Sequence, residues 1–315
     1  MKVKVLSMLK GFEFVSGERI AEELGVSRTA VWKHIRSLSA LGYEIESQKN
    51  KGYRLVSVPD IPLPEEILPE LGTEIIGRDV IYQASTGSTN TLGKKMVRDR
   101  APEGTVIAAG EQNEGRGRMD RKWSSPEGGL WFSVVLYPDL PPERAMLVTM
   151  LCSISISEAV KEVTGIETVI KWPNDLLVNG KKVCGILTEM EAEMDRITSC
   201  VVGIGLNVNN DLNDELCDIG TSLKKEKGER VPLVKLMRSI LKRMDAHYDV
   251  LKKGEHDLIR EMWKKLACIS GRKVKVSTQK ETIVGKIIDI DISGCLILST
   301  DTERRRIVCG DVEYL

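Results

Sequence analysis

The sequence lacks the residue patterns that nucleophilic and acid–base enzymes usually carry. It has only three histidines, and it contains no recognisable Ser/His/Asp or Cys/His signature. No pair of its seven cysteines has Cys-x-x-Cys spacing and their number is odd, so we interpret all of them as reduced core residues rather than disulfides or metal ligands. They are Cys152, Cys184, Cys200, Cys217, Cys268, Cys295 and Cys309.

Long apolar stretches and net charge are also missing. No stretch approaches the roughly 20 apolar residues of a membrane span, and Lys2, Lys4 and Lys10 interrupt the N-terminal apolar segments, so we expect no signal peptide, no membrane partner and a cytoplasmic location. Lys+Arg and Asp+Glu both number 46. Residues 1–58, however, contain ten Lys/Arg and six Asp/Glu, which gives this segment +4 and indicates a polyanionic partner at one end only.

Prolines mark the clearest domain boundary. Pro59, Pro62 and Pro64 fall within six residues, and neither a helix nor a central strand can run through such a segment. We therefore predict a winged helix-turn-helix at 1–58, a Pro-rich linker at 59–65, a mixed α and β domain at 66–268 and a small β-barrel at 269–315.

The first 58 residues have the pattern of a winged helix-turn-helix. Apolar positions predict a helix around Val5–Leu9, a second at Gly17–Leu24, and a third that begins after Ser27, a good N-cap residue. Alternating strands at 43–47 and 53–56 then form a hairpin. In such a module the last helix of the pair enters the major groove of DNA, and its N-terminal residues meet base edges.

The third helix and the hairpin carry the residues that we expect to contact DNA. The apolar stripe of that helix leaves its polar and cationic positions free for bases and phosphates, and Lys49, Lys51 and Arg54 on the hairpin are within reach of phosphates. A protein-docking module, or cations that serve only solubility, is the alternative. The predicted DNA-binding residues are Ser27, Arg28, Thr29, Trp32, Lys33, Arg36 and Lys51.

Beyond residue 65 the pattern is α+β. Long helices amid adjacent hairpins favour this class over a doubly wound parallel sheet. Strands are predicted at 80–82, 106–109, 131–136, 169–171, 176–187 (a hairpin) and 200–208, and helices at 90–98, 142–163, 231–248 and 255–266.

A cation-rich loop at residues 111–123 is the first candidate functional segment. It follows a strand and combines three arginines and one lysine with two glycines that permit close approach of the backbone. Charges at this density cannot be buried without partners, so we expect a mobile, exposed loop that an anionic ligand would order. The loop is not a dinucleotide fingerprint, and the chain contains no Walker A sequence. A solvated basic turn is the alternative.

Residues 171–187 are the second candidate. Asn179-Gly180 between apolar runs predicts a two-residue hairpin turn. Strand parity then places Lys182 beside Asp175 on one face, while Lys181 points the other way. The alternative is a surface ion pair of little energetic value.

Two further segments are compatible with ligand binding. Residues 85–90 close a strand and open a helix, where hydroxyls and free amides form either a polar pocket or a plain N-cap. Residues 202–208 form an apolar strand whose two glycines either let another group approach the backbone or pack tightly in the core.

In this order, the motifs resemble the family of bifunctional biotin–protein ligases and biotin-operon repressors, over essentially the whole chain. The resemblance implies a winged helix-turn-helix, a mixed-sheet catalytic domain of the biotin/lipoate-ligase type and an SH3-like C-terminal barrel. The most specific matches are Gly115-Arg116-Gly117-Arg118 with Trp123 downstream, and Lys171-Trp172-Pro173-Asn174-Asp175 followed by Lys182 and Gly185-Ile186-Leu187; Ser88-Thr89-Asn90 and Gly205-Leu206-Asn207 support them.

The resemblance also implies the chemistry. Biotin and ATP would form biotinyl-5′-AMP, with Mg²⁺ as a co-substrate and no tightly bound metal, before a lysine of a carboxylase carrier domain takes the biotinyl group. The implied catalytic residues are Lys182, Arg118 and Asp175, and Asp175 would lie near the adenylate or Mg²⁺. The implied biotin-binding residues are Ser88, Thr89, Asn90, Gln112, Gly115, Arg116, Arg118, Trp123, Lys182 and Gly185; the nucleotide-binding residues are Arg116, Arg118, Arg121, Lys171, Asn174 and Asn207.

As a repressor of biotin genes, the liganded chain would dimerise and bind operator DNA. The alternatives are a ligase with a vestigial or protein-docking winged helix, a ligand-sensing DNA-binding regulator without catalysis, and a ligase for lipoate or another acid. Two positions depart from the family pattern: Gly87, where many relatives carry Asp, and Asp120, where many carry Gly. The second bears on how the loop opens and how long the adenylate is retained.

Overall fold

The computed structural model describes residues 1–11, 13–267, 269–278 and 280–315. They form two compact units, Met1–Ile61 and Pro62–Leu315. Cys268, predicted to be a reduced core residue, lies outside the described residues. Among the helices of the described residues, none is both long enough and apolar enough to cross a bilayer.

The smaller unit consists of three helices and a two-stranded antiparallel hairpin. Ser27 caps the third helix, since its hydroxyl accepts a hydrogen bond from the Ala30 amide at 3.1 Å. Gly25 ends the second helix at φ 64°, a conformation that favours glycine. The predicted winged helix-turn-helix is confirmed. Its elements are α1 (Lys2–Lys10), α2 (Gly17–Leu24), α3 (Arg28–Ala40), β1 (Glu44–Gln48) and β2 (Gly52–Ser57).

The larger unit is built around a seven-stranded mixed sheet. The strands are β3 (Val80–Thr86), β4 (Val106–Gln112), β5 (Leu130–Leu136), β6 (Val169–Lys171), β7 (Asp175–Val178), β8 (Lys181–Glu193) and β9 (Arg196–Leu206). They lie in the order β3-β4-β5-β9-β8-β7-β6; β3 and β4 are parallel, and the other neighbouring pairs are antiparallel. The predicted α+β class is confirmed. The β8–β9 hairpin is longer than predicted because residues 188–199 are mostly polar and mask its strand pattern.

One long helix lies between the sheet and two other helices. This helix, α6 (Met146–Thr164), packs against β6, β7 and β8 and also against α8 (Leu233–Lys252) and α9 (His256–Ala267). Its residues are apolar or small nearly all round, which is typical of a helix buried on every side. Helix α5 (Thr89–Arg98) packs against β4, β5 and β9. Two helices that were not predicted, α4 (Pro64–Ile67) and α7 (Leu223–Lys227), are too short to show a helical period in the sequence.

The C-terminal residues form a second, five-stranded antiparallel sheet. Its strands are β10 (Lys273–Ser277), β11 (Thr282–Ile290), β12 (Leu296–Ser299), β13 (Arg304–Ile307) and β14 (Asp311–Tyr314), paired in the order β13-β12-β11-β10-β14. The Trp172 indole N–H donates a hydrogen bond to the Gly294 carbonyl at 3.0 Å, which fastens this sheet to the turn between β6 and β7. Closure of the five strands into an SH3-like barrel stays a prediction.

The cysteine prediction is correct in part. The six described cysteines are free thiols. Cys152, Cys184, Cys200 and Cys295 are buried, whereas Cys217 is half-buried and Cys309 is exposed. The core assignment is therefore wrong for the last two, because Cys217 lies outside the regular elements and Cys309 lies in the turn between β13 and β14. Burial raises the pKa of Cys200 to about 12, which keeps that thiol protonated.

Candidate functional site

A cavity of about 560 Å³ lies over strands β8 and β9. Residues from all four candidate segments of the sequence line it, namely 85–90, 111–123, 171–187 and 202–208. Gly115 is the one predicted small-molecule-binding residue that does not line it; this glycine is buried, and its carbonyl accepts a hydrogen bond from the Trp123 amide at 2.8 Å. The predicted residues that line the cavity are Ser88, Thr89, Asn90, Gln112, Arg116, Arg118, Arg121, Trp123, Lys171, Asn174, Asp175, Lys182, Gly185 and Asn207.

The cation-rich loop folds back on itself as a narrow turn. Besides the Gly115–Trp123 contact, the Gly117 amide donates to the Arg121 carbonyl at 2.7 Å. A Cβ atom on Gly115 would lie 2.4 Å from the Trp123 carbonyl oxygen, so only glycine fits there. At the tip of the turn, Asp120 has φ 56°, a left-handed conformation that glycine adopts more readily than aspartate.

Each arginine of the loop has a protein partner, whereas the sequence pattern predicts that an anionic ligand supplies these partners. Arg116 donates to the Thr91 hydroxyl at 3.1 Å. Arg118 donates to the Asn174 side-chain carbonyl at 3.2 Å. Arg121 is paired with Asp311 on β14, and this contact holds the pKa of the Asp311 carboxyl below its usual value. The loop is thus attached at three places, and its mobility stays a prediction.

The predicted Lys182–Asp175 pair is present. Strands β7 and β8 form a hairpin around Asn179-Gly180 with Leu177 opposite Lys182, as the turn requires. The Lys182 ammonium lies 2.7 Å from Asp175 Oδ1, and both side chains line the cavity. A register shift between Leu176 and Leu177, which the sequence did not predict, places Asp175 opposite Gly185.

The two glycines of β9 let side chains of the site approach the strand. A Cβ atom on Gly203 would lie 2.1 Å from Asn90 Oδ1, and one on Gly205 would lie 2.3 Å from Trp123 Nε1. The Trp123 indole therefore lies close against the backbone of Gly205, with the Lys182 ammonium 5.0 Å from its ring centroid. Its N–H is buried and finds no acceptor among the described residues.

A chain of hydrogen bonds links the polar residues of the cavity. Gln112 Oε1 accepts from the Thr89 amide and hydroxyl at 2.8 and 3.1 Å, and Gln112 Nε2 donates to the Ser125 hydroxyl at 2.9 Å. The buried Ser133 hydroxyl lies 2.7 Å from Thr89 Oγ1 and 2.6 Å from Asn90 Oδ1. These contacts fix the orientation of the Gln112 and Asn90 amides before any ligand binds.

Several members of this network are not among the residues predicted from the sequence. Ser133 is the lone polar residue in the apolar run 130–136, and that exception is a usable signal. Glu189 lies on the same face of β8 as Gly185 and Leu187, so strand parity was sufficient to find it. Asp311 could not be found from the sequence, because it reaches the loop from a separate sheet.

Two predicted nucleotide-binding amides already have protein partners. Asn207 Nδ2 donates to the Thr221 carbonyl at 3.1 Å, and its oxygen accepts from Asn210. Asn174 Nδ2 donates to the Ile186 carbonyl at 2.7 Å. Both side chains therefore shape the cavity wall in the structure, and their contact with a nucleotide stays a prediction.

In the smaller unit, the predicted DNA-binding residues share an exposed surface. The five on α3, its N-cap Ser27 and Lys51 on the hairpin are all exposed, while the apolar stripe of α3 is buried. Trp32 is 47% exposed, and the Arg36 guanidinium lies 4.8 Å from its ring centroid. Arg54, expected to reach phosphates, is instead paired with Glu46 at 2.6 Å.

Comparison with known proteins finds relatives for each part of the chain. Residues 82–207 match the biotin/lipoate A/B protein ligase family, residues 3–54 match an HTH domain, and residues 269–314 match the biotin protein ligase C-terminal domain.

Curated relatives match over nearly their whole length. The chain is 42% identical over 307 residues to the bifunctional ligase/repressor BirA of Bacillus subtilis, which covers 96% of this chain and 94% of the relative. It is 28% identical over 304 residues to BirA of Escherichia coli, with 95% and 92% covered. The solved structure of biotin protein ligase from Aquifex aeolicus in complex with biotin and ATP has a TM-score of 0.66 and 28% identity, and covers 76% of this chain and 99% of that one.

Proposed function

Because the chain belongs to the family of bifunctional biotin ligases and repressors, we propose that it is an ATP-dependent biotin–protein ligase that also represses transcription. In the first step the biotin carboxylate attacks the α-phosphorus of ATP, and pyrophosphate leaves. In the second, the amine of an acceptor lysine attacks the acyl carbon of the adenylate, and AMP leaves. The acceptor would be the biotin carrier domain of a carboxylase.

The charge of the cavity supports this reaction. Six cationic side chains and three carboxylates line it, so its net charge favours a site for two anions. We assign Lys182 to the reacting carboxylate and α-phosphate, where its ammonium offsets their repulsion and stabilises charge that develops during transfer. Asp175, 2.7 Å away, orients that ammonium. Arg116, Arg118 and Arg121 face the carboxylate and phosphates.

The amide network supports recognition of the biotin ring. Gln112 and Thr89 are held by each other and by buried hydroxyls, so they meet a ligand with fixed donors and acceptors. The Trp123 indole and the loop would cover the ligand and exclude water, which protects a mixed anhydride from hydrolysis.

We propose that Mg²⁺ enters with ATP as a co-substrate. Mg²⁺ is usually bound through one or two carboxylates, substrate phosphates and water rather than by a protein cage. Asp175 lines the cavity and fits the role of such a carboxylate. Within the described part of the chain, no group of three His, Cys, Asp or Glu side chains is arranged to hold a metal. Phosphates and water would therefore supply the remaining ligands.

The winged unit supports the second activity. The exposed cations of α3 and the hairpin fit a helix that enters the major groove while the hairpin contacts phosphates. We propose that the adenylate-bound chain forms a homodimer, so that two copies of α3 read the two halves of a palindromic operator.

One observation carries the enzymatic proposal: the Lys182–Asp175 pair, the arginine loop and the amide network line a single cavity. The test is biotin-dependent exchange of labelled pyrophosphate into ATP, because it reports adenylate formation without an acceptor or operator. We expect exchange with biotin, none with lipoate, and loss of exchange in Lys182→Ala.

The neighbouring lysine provides a matched control. Lys181 Nζ donates to the Cys217 carbonyl at 2.8 Å and is not among the described residues that line the cavity, so Lys181→Ala should retain exchange. A folded wild-type protein that gives no exchange with biotin or any other small carboxylic acid would contradict the ligase proposal and favour a ligand-sensing regulator. Operator binding at a stated salt concentration separates an active winged helix from a vestigial one.

A further inference from the structure

Glu189 connects the wall of the cavity to the arginine loop. Its Oε2 accepts a hydrogen bond from Asn90 Nδ2 at 2.9 Å and lies 3.9 Å from the Arg116 guanidinium. Its Oε1 accepts from the Lys94 ammonium at 2.8 Å. Burial by itself raises the pKa of this carboxyl, but the contacts with Lys94, Asn90 and Arg116 outweigh it, so the pKa is lowered and the group stays ionised.

Asn90 links the Glu189 carboxylate to the other polar residues of the cavity. Its amide nitrogen donates to Glu189 and to the Leu187 carbonyl, which turns its oxygen towards the Ser133 hydroxyl. The same hydroxyl contacts Thr89, which in turn contacts Gln112. The carboxylate thus stands at one end of a chain of polar contacts whose other end, Gln112, lines the cavity.

Glu189 is not one of the described residues that line the cavity, so it acts on a ligand only through its neighbours. On the basis of the proposed ligase function, we propose that Glu189 is a positioning residue that holds both the pocket amide of Asn90 and the loop cation Arg116. It thereby couples recognition of the ring of the substrate acid to closure of the loop over the adenylate. Without that charge, Arg116 retains its contact with the neutral Thr91 hydroxyl and loses its ionic partner among the described residues.

The test replaces the carboxylate by an amide of equal size. In Glu189→Gln we expect the Kd for biotin, measured by calorimetry, to rise about tenfold or more, which is the scale expected when hydrogen bonds to a charged group are lost. The kcat of pyrophosphate exchange at saturating biotin should stay within about threefold, because Lys182 and Asp175 are not displaced. The preformed adenylate should dissociate about tenfold faster, since the loop is less firmly held.

Glu158→Gln is the matched control. Glu158 is exposed to a similar extent, 30% against 26%, and is paired with Arg243 at 2.7 Å between α6 and α8. We expect this variant to lose thermal stability comparably while its biotin affinity and adenylate lifetime stay at the wild-type values. In the Arg116→Gln background, Glu189→Gln should accelerate adenylate dissociation by much less, because the shared contact is already gone.

The outcomes separate this inference from the proposed function. Glu189→Gln with wild-type biotin affinity and adenylate lifetime, in a protein that performs exchange, overturns the inference alone. Failure of the wild-type chain to perform exchange overturns the proposed function and the inference with it. If Glu189→Gln does not fold, Glu189→Asp decides: it keeps the charge but withdraws it from Asn90 and Arg116, so an unchanged biotin Kd overturns the inference.

Discussion

Replacement of Gly205 by alanine tests whether the Trp123 indole must lie against β9 for the ligand to bind. The new Cβ would stand 2.3 Å from Trp123 Nε1 and 2.6 Å from Cε2, whereas ordinary van der Waals contact begins near 3.4 Å. The strand is central in the sheet and paired on both sides, so it cannot retreat. The indole must therefore move away from the strand by about 1 Å or leave it altogether.

The cost of that displacement sets the expected effect. Overpacking of a well-packed site costs about 1–3 kcal/mol. If biotin binds while Trp123 lies against β9, the affinity for biotin should fall roughly 5- to 150-fold, since each 1.4 kcal/mol is a factor of ten. Trp123→Ala should also weaken binding, because it removes the cover.

Calorimetric titration with biotin measures each effect, and a double mutant identifies its origin. In the Trp123→Ala background, Gly205→Ala has nothing to displace, so it should add little to the loss. Additive effects in the double mutant would refute the steric reasoning. Tighter binding by Gly205→Ala would show instead that the indole competes with biotin for the same space.

Three further predictions concern the loop and the winged unit. Gly115→Ala, whose Cβ would lie 2.4 Å from the Trp123 carbonyl oxygen, should weaken biotin binding far more than Gly117→Ala, whose Cβ would meet no atom closer than 3.5 Å; equal losses in calorimetry would contradict this. Ser27→Ala removes the N-cap of α3 and should lower the free energy of unfolding by about 1 kcal/mol in urea titration, and an unchanged midpoint would count against the cap. Lys51→Gln should weaken operator binding uniformly across sequences and reduce the salt slope by about one, whereas an unaltered slope would place Lys51 away from phosphates.

The local features of the site could be predicted from the sequence, and the contacts between distant segments could not. The Asn-Gly turn and the period of a strand are properties of neighbouring residues, so they were sufficient to place Lys182 beside Asp175. The register shift between Leu176 and Leu177 depends on how β8 also pairs with β9, and nothing in the hairpin itself indicates it.

The arginine loop is a second case in which contacts between distant segments could not be predicted from the sequence. Its charge density correctly indicated a segment that needs partners, but the sequence suggested that these would come from a ligand. The partners of Arg116, Arg118 and Arg121 come from α5 and β8, the β6–β7 turn and β14, and only the folded chain brings these together. Similarly, the glycines of β9 indicated a close approach without identifying Asn90 and Trp123 as the groups that approach.

The contact between Arg121 and Asp311 also has a consequence for the order in which the protein folds. The two residues are 190 positions apart in the chain, and contacts of such separation form late because a long loop must close first. The hairpin of β7 and β8, by contrast, is local. During refolding from denaturant, secondary structure should therefore return before biotin-binding capacity, with a lag set by the docking of the C-terminal sheet. A ligand that binds only when the Arg121–Asp311 contact holds the loop in place would then report that the larger unit has finished folding.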